Sequence, residues 1–376
     1  MDQRKGFALR KSFFGLILIE ISRKFLYNNS IALSYGKEGD IMRIIIDAMG
    51  GDHAPDEIVK GVLRAMQEFP DTSFLLTGDR QKIEALLSQA EYNQDRIEII
   101  GTTQVIEMDD SPVKALKEKK DSSMVVALNA LARGEGGMLI SAGCTGALVA
   151  GATLIVKRIN GIKRPALAPV LPSQTGEVLL IDGGANADCK PQYLQQFGVM
   201  GSIYMQKVFG LKSPKVALIN NGAEEEKGSE LTKKAYQLLK EAPINFVGNA
   251  EGRELLSGEF DVLVCDGFTG NIVLKFLEGC AKTILGMLKG YIKESASAKL
   301  GSVFMKSAFG KLKKKMDYKE YGGALLLGLA GGVMKAHGSS DATAIFHAID
   351  AARKFIAGNV VEEIQQGISG LKDDHE

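Results

Sequence analysis

Apolar runs alternate with segments of helical length along this chain from Met42 onward, which predicts an α/β fold. The apolar runs are rich in β-branched residues, and several are apolar throughout, as in strands that helices cover on both faces. They span residues 43–47, 73–77, 96–100, 138–141, 178–182, 215–220, 244–247 and 261–265. The predicted helices span residues 57–68, 82–89, 121–133, 146–157, 192–209, 229–241 and 271–291. This alternation indicates right-handed crossovers and a mostly parallel, doubly wound sheet.

Turns rich in glycine and polar residues follow many of these strands. In open α/β sheets, ligands bind outside the carboxyl ends of the strands. The candidate ligand contacts in these turns are Asp47, Gly50, Gly51, His53, Ser141, Gly143, Thr145, Gly146, Asp182, Asn186, Asn221, Glu224, Arg253, Gly267, Thr269 and Gly270. Taken singly, each turn is explained by the turn-forming tendency of Gly, Asp and Asn. Six such turns together predict a cleft whose backbone N–H groups bind phosphate or another anion.

Composition and motifs narrow the kind of protein. A net charge of +1, no tryptophan and 7% aromatic residues argue against a nucleic-acid binder. The four cysteines are scattered without a CxxC pair, which favours a reducing cytosol over a zinc site or a disulfide framework. The dinucleotide fingerprint, the P-loop, the nucleophile elbow and the zinc-protease motif are missing from the sequence. We therefore expect neither a cofactor nor a metal.

Residues 1–41 differ from the rest of the chain. Basic residues precede an apolar run at 13–21 that is too short to span a bilayer and is followed by no clear cleavage site. We expect an upstream extension or a misassigned start, with an amphipathic membrane anchor and a secretory signal as the alternatives. The predicted catalytic domain is 42–368, and 369–376 form a C-terminal tail.

Several motifs, in their order along the chain, carry a resemblance to a known family. They are RIIIDAMGGDHAP from Arg43, SAGCTGA from Ser141, DGGAN from Asp182, NNGAEEEKG from Asn220, DGFTGN from Asp266 and AHGSSD from Ala336. From Met42 to about Ile368 the chain closely resembles the acyl-acyl carrier protein:phosphate acyltransferases of bacterial phospholipid synthesis, the PlsX family. Two positions depart from the family pattern: Cys144, where asparagine is expected, and Cys189.

The resemblance implies a fold like that of the isocitrate and isopropylmalate dehydrogenases and the phosphotransacetylases. It also implies a homodimer with a defined reaction. A fatty acyl group moves from the thioester of acyl carrier protein to inorganic phosphate. The acyl phosphate then passes to a membrane glycerol-3-phosphate acyltransferase.

The chemistry of this reaction favours positioning groups over a nucleophilic residue. A thiolate with a pKa near about 8.5 leaves readily, so holding phosphate against the carbonyl and stabilising the oxyanion are the main tasks. The resemblance favours Lys227 as a contact to phosphate or to the oxyanion, against a solvated lysine beside three glutamates. Asn271 is either a helix N-cap or a donor to the reacting group. Asp266 either orients Lys227 or caps the helix.

Histidines and a cysteine offer further candidates. His53 and His337 are either anion contacts or acids, or histidines bonded within their own loops. Cys144 suggests thioester exchange, but the sequence places no histidine partner beside it and the reaction needs none.

A basic segment at 289–319 holds nine lysines against two acids, a net charge of +7, which leaves −6 for the rest of the chain. Apolar residues recur in it at helical spacing, which predicts an amphipathic helical tip. The candidate contacts are Val303, Phe304, Phe309, Leu312, Lys313 and Lys314. Such a helix binds an anionic membrane surface or an acidic carrier protein, or packs on its own body or a dimer mate. We expect a cytoplasmic enzyme at the inner face of the membrane.

Three other functions remain open. An NAD-dependent decarboxylating dehydrogenase of the same fold needs metal-binding aspartates and an adenine pocket, and the sequence shows neither. A CoA-dependent phosphate acetyltransferase is closer in chemistry, but the basic apolar tip favours a long acyl chain on a carrier protein. A non-enzymatic lipid sensor or scaffold leaves the six polar turns unexplained.

Overall fold

The computed structural model describes residues 42–316 and 322–371, where helices surround an eleven-stranded sheet. The predicted extension 1–41 lies outside the described residues, as do 372–376 of the tail and the side chains of Lys313 and Lys314. The strands are β1 Met42–Asp47, β2 Thr72–Gly78, β3 Ile97–Gly101, β4 Met138–Ser141, β5 Ala166–Pro172, β6 Glu177–Ile181, β7 Lys215–Asn220, β8 Asn245–Glu251, β9 Val262–Val264, β10 Ala324–Leu327 and β11 Gly332–Lys335.

Helices connect the strands as the alternating pattern predicts. They are α1 Asp56–Glu68, α2 Arg80–Leu87, α3 Pro112–Glu118, α4 Ser123–Ala132, α5 Thr145–Gly151, α6 Pro191–Phe209, α7 Glu230–Glu241, α8 Gly267–Glu294, α9 Ala296–Phe304, α10 Lys306–Met316, α11 Ala342–Ala357 and α12 Val360–Ser369. A π-helical turn, Ala152–Val156, continues α5. In the described ranges no helix is both long and apolar enough to cross a membrane.

The strand order is β3-β2-β1-β4-β11-β10-β5-β6-β9-β7-β8. Two blocks of neighbouring strands pair in parallel. The first is β3, β2, β1, β4 and β11, and the second is β6, β9, β7 and β8. Between these two blocks, β10 and β5 make the antiparallel pairings. The α/β class and the mostly parallel sheet are confirmed.

The three antiparallel pairings that link β11 to β6 give the two parallel blocks opposite directions. The turns after β1, β4 and β11 therefore lie at one edge of the sheet, here called the first edge. The turns after β6, β7 and β9 lie at the other, here called the second edge. A single ring of turns was expected, and the sheet divides it into two groups.

The strands that join the two blocks are the ones that the apolar pattern did not predict. β5 contains Pro169, which usually marks an edge or a break in a strand. β10 and β11 have four residues each and are separated by glycine-containing turns. β8 continues to Glu251, past the predicted end at residue 247, and a register irregularity accompanies its pairing with β7.

Apolar side chains fix the strands on both sides of the sheet. Ile45, Leu75 and Leu139, in three neighbouring strands, are enclosed together with α4 and α5. Leu180 and Leu263 lie in a second cluster that includes apolar residues of α8. These cores hold the strand ends, and hence the polar turns, in fixed positions.

Candidate active site

Asp182, directly after β6, organises the second edge. It is fully enclosed, and its carboxylate accepts five hydrogen bonds. The donors are the amides of Leu167 at 2.9 Å, Gly184 at 3.1 Å, Ala185 at 2.9 Å and Asn186 at 2.7 Å, and the Nδ2 of Asn186 at 2.8 Å. Burial raises the pKa of Asp182, and these hydrogen bonds oppose that rise. The amides of this turn are thus bonded to the protein's own carboxylate, and Asp182 holds the turn in place.

Asp266 is the N-cap of α8. Its Oδ1 accepts a hydrogen bond from the Thr269 amide at 2.8 Å, and its Oδ2 accepts one from Thr269 Oγ1 at 3.0 Å. The Gly267 amide donates to the carbonyl of Asn186 at 2.8 Å. Two of the first three amides of α8 are therefore used within the protein. Of the two roles considered for Asp266, the structure shows the cap; it shows no bond from Asp266 to Lys227.

Asn271 lies one turn inside α8, so the N-cap alternative for this residue is wrong. A Cβ atom built on Gly184 would lie 3.3 Å from the Cβ of Asn271 and 3.6 Å from its Oδ1. One built on Gly270 would lie 1.9 Å from the carbonyl oxygen of Asp182. The start of α8 thus packs on the Asp182 turn through glycines, and the Asn271 amide lies over that turn. Its role as a donor to the reacting group stays a prediction.

Lys227 is exposed in the turn after β7. Its amide donates to the Glu224 carbonyl at 3.2 Å, and within the described residues its ammonium has no ion pair or hydrogen bond. The neighbouring Glu225 pairs instead with Lys240 at 3.3 Å. The ammonium of Lys227 is therefore available to an anion at the second edge.

The other polar residues of the second edge differ in their exposure and in their bonding partners. Arg253 is 79% exposed and pairs with Glu251 at 2.6 Å, so its guanidinium has an acidic partner on the surface. Asn221 is exposed. Asn249 on β8, which the sequence analysis did not single out, donates to the Glu224 carbonyl at 2.8 Å. Asn249 therefore supports the turn that carries Lys227.

Asp47 occupies the corresponding place at the first edge. It accepts hydrogen bonds from Ser141 Oγ at 2.6 Å and from the Met49 amide at 3.3 Å. The Gly143 amide donates to Ser141 Oγ at 3.1 Å. A Cβ atom built on Gly50 would lie 2.6 Å from the Gly143 nitrogen, so the turns after β1 and β4 meet at glycine backbone. Burial raises the pKa of Asp47.

The remaining predicted contacts of this edge lie nearer solvent. His53, Thr145 and Gly146 are exposed. Gly51 has a φ of 105°, and a Cβ atom there would lie 2.9 Å from the side chain of Ala142. The glycines therefore serve close packing of the turns, and exposed side chains are what an anion would meet.

Helix α8 connects the two edges. His337, after β11, has a hydrogen bond between its Nδ1 and Ser339 Oγ at 2.9 Å. Burial, reinforced by Lys335, lowers the pKa of His337, and Lys275 and Glu278 of α8 act on it in opposite directions. Lys275 and Glu278 lie four and seven residues beyond Asn271, about 6 and 10 Å along the helix axis. His337 at the first edge therefore lies within electrostatic range of the part of α8 that follows Asn271.

Lys335 at the end of β11 is the functional candidate that the sequence analysis missed. It is 8% exposed and lies beside Ser141 in the sheet. The signal was a lysine that ends an apolar run, GVMK, directly before the motif AHGSSD. The run was not recognised as a strand, so the lysine was not placed at the edge.

Three of the four cysteines are at least half-buried next to the polar turns, and thioester exchange at Cys144 stays an untested alternative. Cys144 is buried at the first residue before α5. Burial raises the pKa of the Cys189 thiol to about 12 and that of Cys265 well above its usual value. Thiols held in the neutral form are poor nucleophiles. In the part of the chain that the structure describes, no group of three or more His, Cys, Asp or Glu residues is arranged to hold a metal.

Solved structures support the fold. A phosphotransacetylase from Streptococcus pyogenes superposes with a TM-score of 0.59 at 16% identity, over 89% of this chain and 98% of that one. At this identity the likeness concerns the fold alone.

Sequence relatives identify the family. The model of a family described as "Fatty acid synthesis protein" matches residues 42–363. A phosphate acyltransferase from Alkaliphilus oremlandii is 50% identical over 333 residues, which are 89% of this chain and 99% of the relative. Another from Clostridioides difficile is 48% identical over 335 residues, 89% of this chain and 98% of the relative. With about half of all residues shared along nearly the whole length of these relatives, the chain belongs to the phosphate acyltransferase (PlsX) family and is an acyltransferase.

Proposed function

We propose that this enzyme transfers a long-chain acyl group from the thioester of acyl carrier protein to inorganic phosphate, for phosphatidic acid and phospholipid synthesis. One observation carries the proposal: 50% identity along 99% of a relative named phosphate acyltransferase. The products are acyl phosphate and free carrier protein. A membrane glycerol-3-phosphate acyltransferase consumes the acyl phosphate, and the working enzyme is a homodimer.

The reaction needs one nucleophilic attack and one proton transfer. A phosphate oxygen bonds to the carbonyl carbon, the C–S bond breaks, and the thiolate receives the proton that hydrogen phosphate gives up. Because a thiol of pKa about 8.5 is a good leaving group, no covalent enzyme intermediate is required. Holding the two reactants in a near-attack geometry contributes as much as about 7–11 kcal/mol to lowering the barrier.

In this proposal, side chains rather than backbone amides bind the phosphate and the oxyanion. The amides of the Asp182 turn and two amides at the start of α8 already have internal acceptors. Lys227, whose ammonium has no partner in the described chain, binds phosphate or the oxyanion. Asn271 donates to the same group, and a single such donor is worth about 3–4 kcal/mol in the transition state. Asp266 acts indirectly, by capping the helix that carries Asn271.

Helices α8 to α10 receive the acyl donor and deliver the product. Val303, Leu312 and above all Phe304, at 84% exposure, present apolar surface beside the lysines of α10. Phe309 is half-buried. Lys315 Nζ donates to the Gln174 carbonyl at 3.2 Å and so ties the end of α10 to the turn between β5 and β6. Exposed apolar and basic surface suits an anionic membrane or an acidic carrier protein.

The test is direct formation of acyl phosphate. Purified protein is mixed with palmitoyl-carrier protein and phosphate, and any acyl phosphate is trapped with hydroxylamine as the hydroxamate. Palmitoyl-CoA and acetyl-CoA serve as competing donors. We expect hydroxamate that depends on phosphate and is formed fastest from the carrier protein. No phosphate-dependent hydroxamate with an intact carrier protein, or faster turnover of acetyl-CoA, contradicts the proposal.

A further inference from the structure

At the first edge, a lysine is buried at the end of a central strand. Lys335 is 8% exposed, although lysine is rarely buried without a partner. Lys335 pairs with Ser141 of β4 in parallel register, and Asp47 lies at the end of β1, the next strand beyond β4. An ammonium at such a position costs free energy unless something compensates its charge.

Backbone carbonyls, and no carboxylate, surround the ammonium of Lys335. Its Nζ donates to the Ala142 carbonyl at 3.3 Å and to the Ala336 carbonyl. These are its only bonds among the described residues, whereas an ammonium has three N–H donors. Asp47 and Asp52 favour its charge from a greater distance. One donor of a buried cation therefore remains for a ligand.

The turn that follows Lys335 in the chain contains a second unsatisfied group. Ser340, in the turn after β11, is 3% exposed, and its Oγ has no partner in the described chain. The amide of Ser340 donates to the His337 carbonyl at 3.0 Å, which closes this turn over the end of β11. A buried hydroxyl without a partner is costly and uncommon. A ligand that accepts hydrogen bonds would satisfy both groups.

His337 relates this position electrostatically to helix α8, which carries Asn271. His337, two residues beyond Lys335, is near Lys275 and Glu278 of α8. Asn271 lies on the same helix about 6 Å along the axis from Lys275. An anion at the first edge would thus lie beside the helix that carries the predicted carbonyl donor.

We propose that Lys335 is the cation of a phosphate-binding subsite at the first edge, separate from Lys227 at the second. The ligand is the phosphoryl group of inorganic phosphate, held by the third N–H of the ammonium and by the Ser340 hydroxyl. This assignment rests on the proposed function for its place in the reaction, but binding itself can be measured without any acyl donor. Lys335 is buried and lacks a carboxylate partner because the substrate supplies the missing negative charge.

Calorimetry on the full chain tests the subsite with inorganic phosphate alone. Lys335→Met keeps the length and removes the charge, and Lys354→Met is the matched control, since Lys354 pairs with Asp350 on the surface of α11 at 2.7 Å. We expect the Kd for phosphate to rise at least tenfold in Lys335→Met and to stay within twofold in Lys354→Met. An unchanged Kd in a folded Lys335→Met protein overturns the proposal.

A pH series keeps the test valid if Lys335→Met fails to fold. Burial lowers the pKa of Lys335 to about 8, so the ammonium is present below that pH and is lost above it. The charged or titratable groups that face this corner are Asp47, Asp52, Cys144, His337, and Lys275 and Glu278 of α8.

Sulfate is the probe because its charge is constant, and Cys144→Ser removes the neighbouring thiol. Binding to this variant should weaken severalfold between pH 7 and pH 9.5, and a flat profile contradicts the subsite.

Kinetics distinguish inorganic phosphate from a phosphate ester of the acyl donor. In the hydroxamate assay, Lys335→Met should raise the KM for phosphate at least tenfold and leave the KM for the acyl carrier protein unchanged. A rise in the donor KM alone assigns the subsite to the donor and overturns the proposal. If the protein forms no acyl phosphate at all, the proposed function fails, while the calorimetric result still decides whether Lys335 binds phosphate.

Discussion

The polar residues at the two edges are of two kinds: some stabilise the turns, and others are available to contact a ligand. Asp182 and Asp47 are enclosed; Asp182 accepts hydrogen bonds from amides of its own turn, and Asp47 accepts them from the Met49 amide and from the Ser141 hydroxyl at the end of β4. Lys227 is exposed, and its ammonium has no partner within the described chain. Acidic side chains that satisfy backbone donors stabilise turns but offer nothing to a phosphate. The chemistry of the site therefore depends on its amide and ammonium side chains.

Replacing the predicted catalytic groups tests this division. We expect Lys227→Ala and Asn271→Ala each to lower kcat more than tenfold at unchanged thermal stability, because each removes a donor to charge that develops in the transition state. Initial rates of hydroxamate formation and melting curves measure the two quantities. Lys233→Ala, an exposed lysine on α7, is the control. Normal kcat in both variants would remove these residues from the reaction centre.

Asp182→Asn should act on stability. An amide group in place of the carboxylate would turn an N–H₂ toward backbone N–H donors and leave some of them unsatisfied, so we expect a loss of at least about 2 kcal/mol in the free energy of unfolding. Urea denaturation measures this loss. Asp188→Asn, an exposed position in the same loop, should be neutral. Equal stability of the two variants would show that the turn does not depend on the five hydrogen bonds.

At the scale of elements, the long helix α8 unites the site with the basic tip. It begins at the Asp182 turn, passes His337 and ends next to α9 and α10. Its exposed apolar residues recur at helical spacing along one face. They are Phe268, Ile272, Phe276, Ile284, Met287 and Tyr291. An exposed apolar face of this length indicates a surface that another body covers, whether a membrane, a carrier protein or a second copy of the chain.

A negative charge introduced in the basic tip distinguishes a membrane from a carrier protein as the partner of this surface. Phe304 of α9 is 84% exposed, and Phe304→Glu replaces this apolar side chain with an acid. We therefore expect sedimentation with anionic vesicles to fall severalfold while kcat with a soluble donor is retained. Met108→Glu is the control at an exposed apolar position outside α8 to α10. Vesicle binding that survives in Phe304→Glu would show that this part of the tip is not the membrane contact. A rise in the KM for the carrier protein would then assign the tip to the donor.

For the whole molecule, the family model matches residues 42–363, and the interpretation of residues 1–41 as an extension stays a prediction. A chain that begins at Met42 should retain the melting temperature and the kcat of the full chain, because β1 begins there and pairs with β2 and β4 of the domain. Differential scanning calorimetry and the hydroxamate assay measure this. A fall of several degrees or a large loss of activity would show that the first 41 residues belong to the working enzyme.

By itself, the sequence determined the alternation of strands and helices, the polar turns and, through their order, the family. These features are local, since burial on both faces of a strand and turn chemistry are written in neighbouring residues. Only the tertiary structure decided that the turns form two edges, because β5, β10 and β11 reverse the sheet direction through pairings between distant segments. It also decided that amides of the polar turns bond acceptors within the protein and that Lys335 is buried without a carboxylate bonded to it. Burial and the choice of hydrogen-bond partner depend on segments that lie far apart in the chain, as in the bond from the Ala342 amide to Glu57 across 285 residues, which no local pattern records.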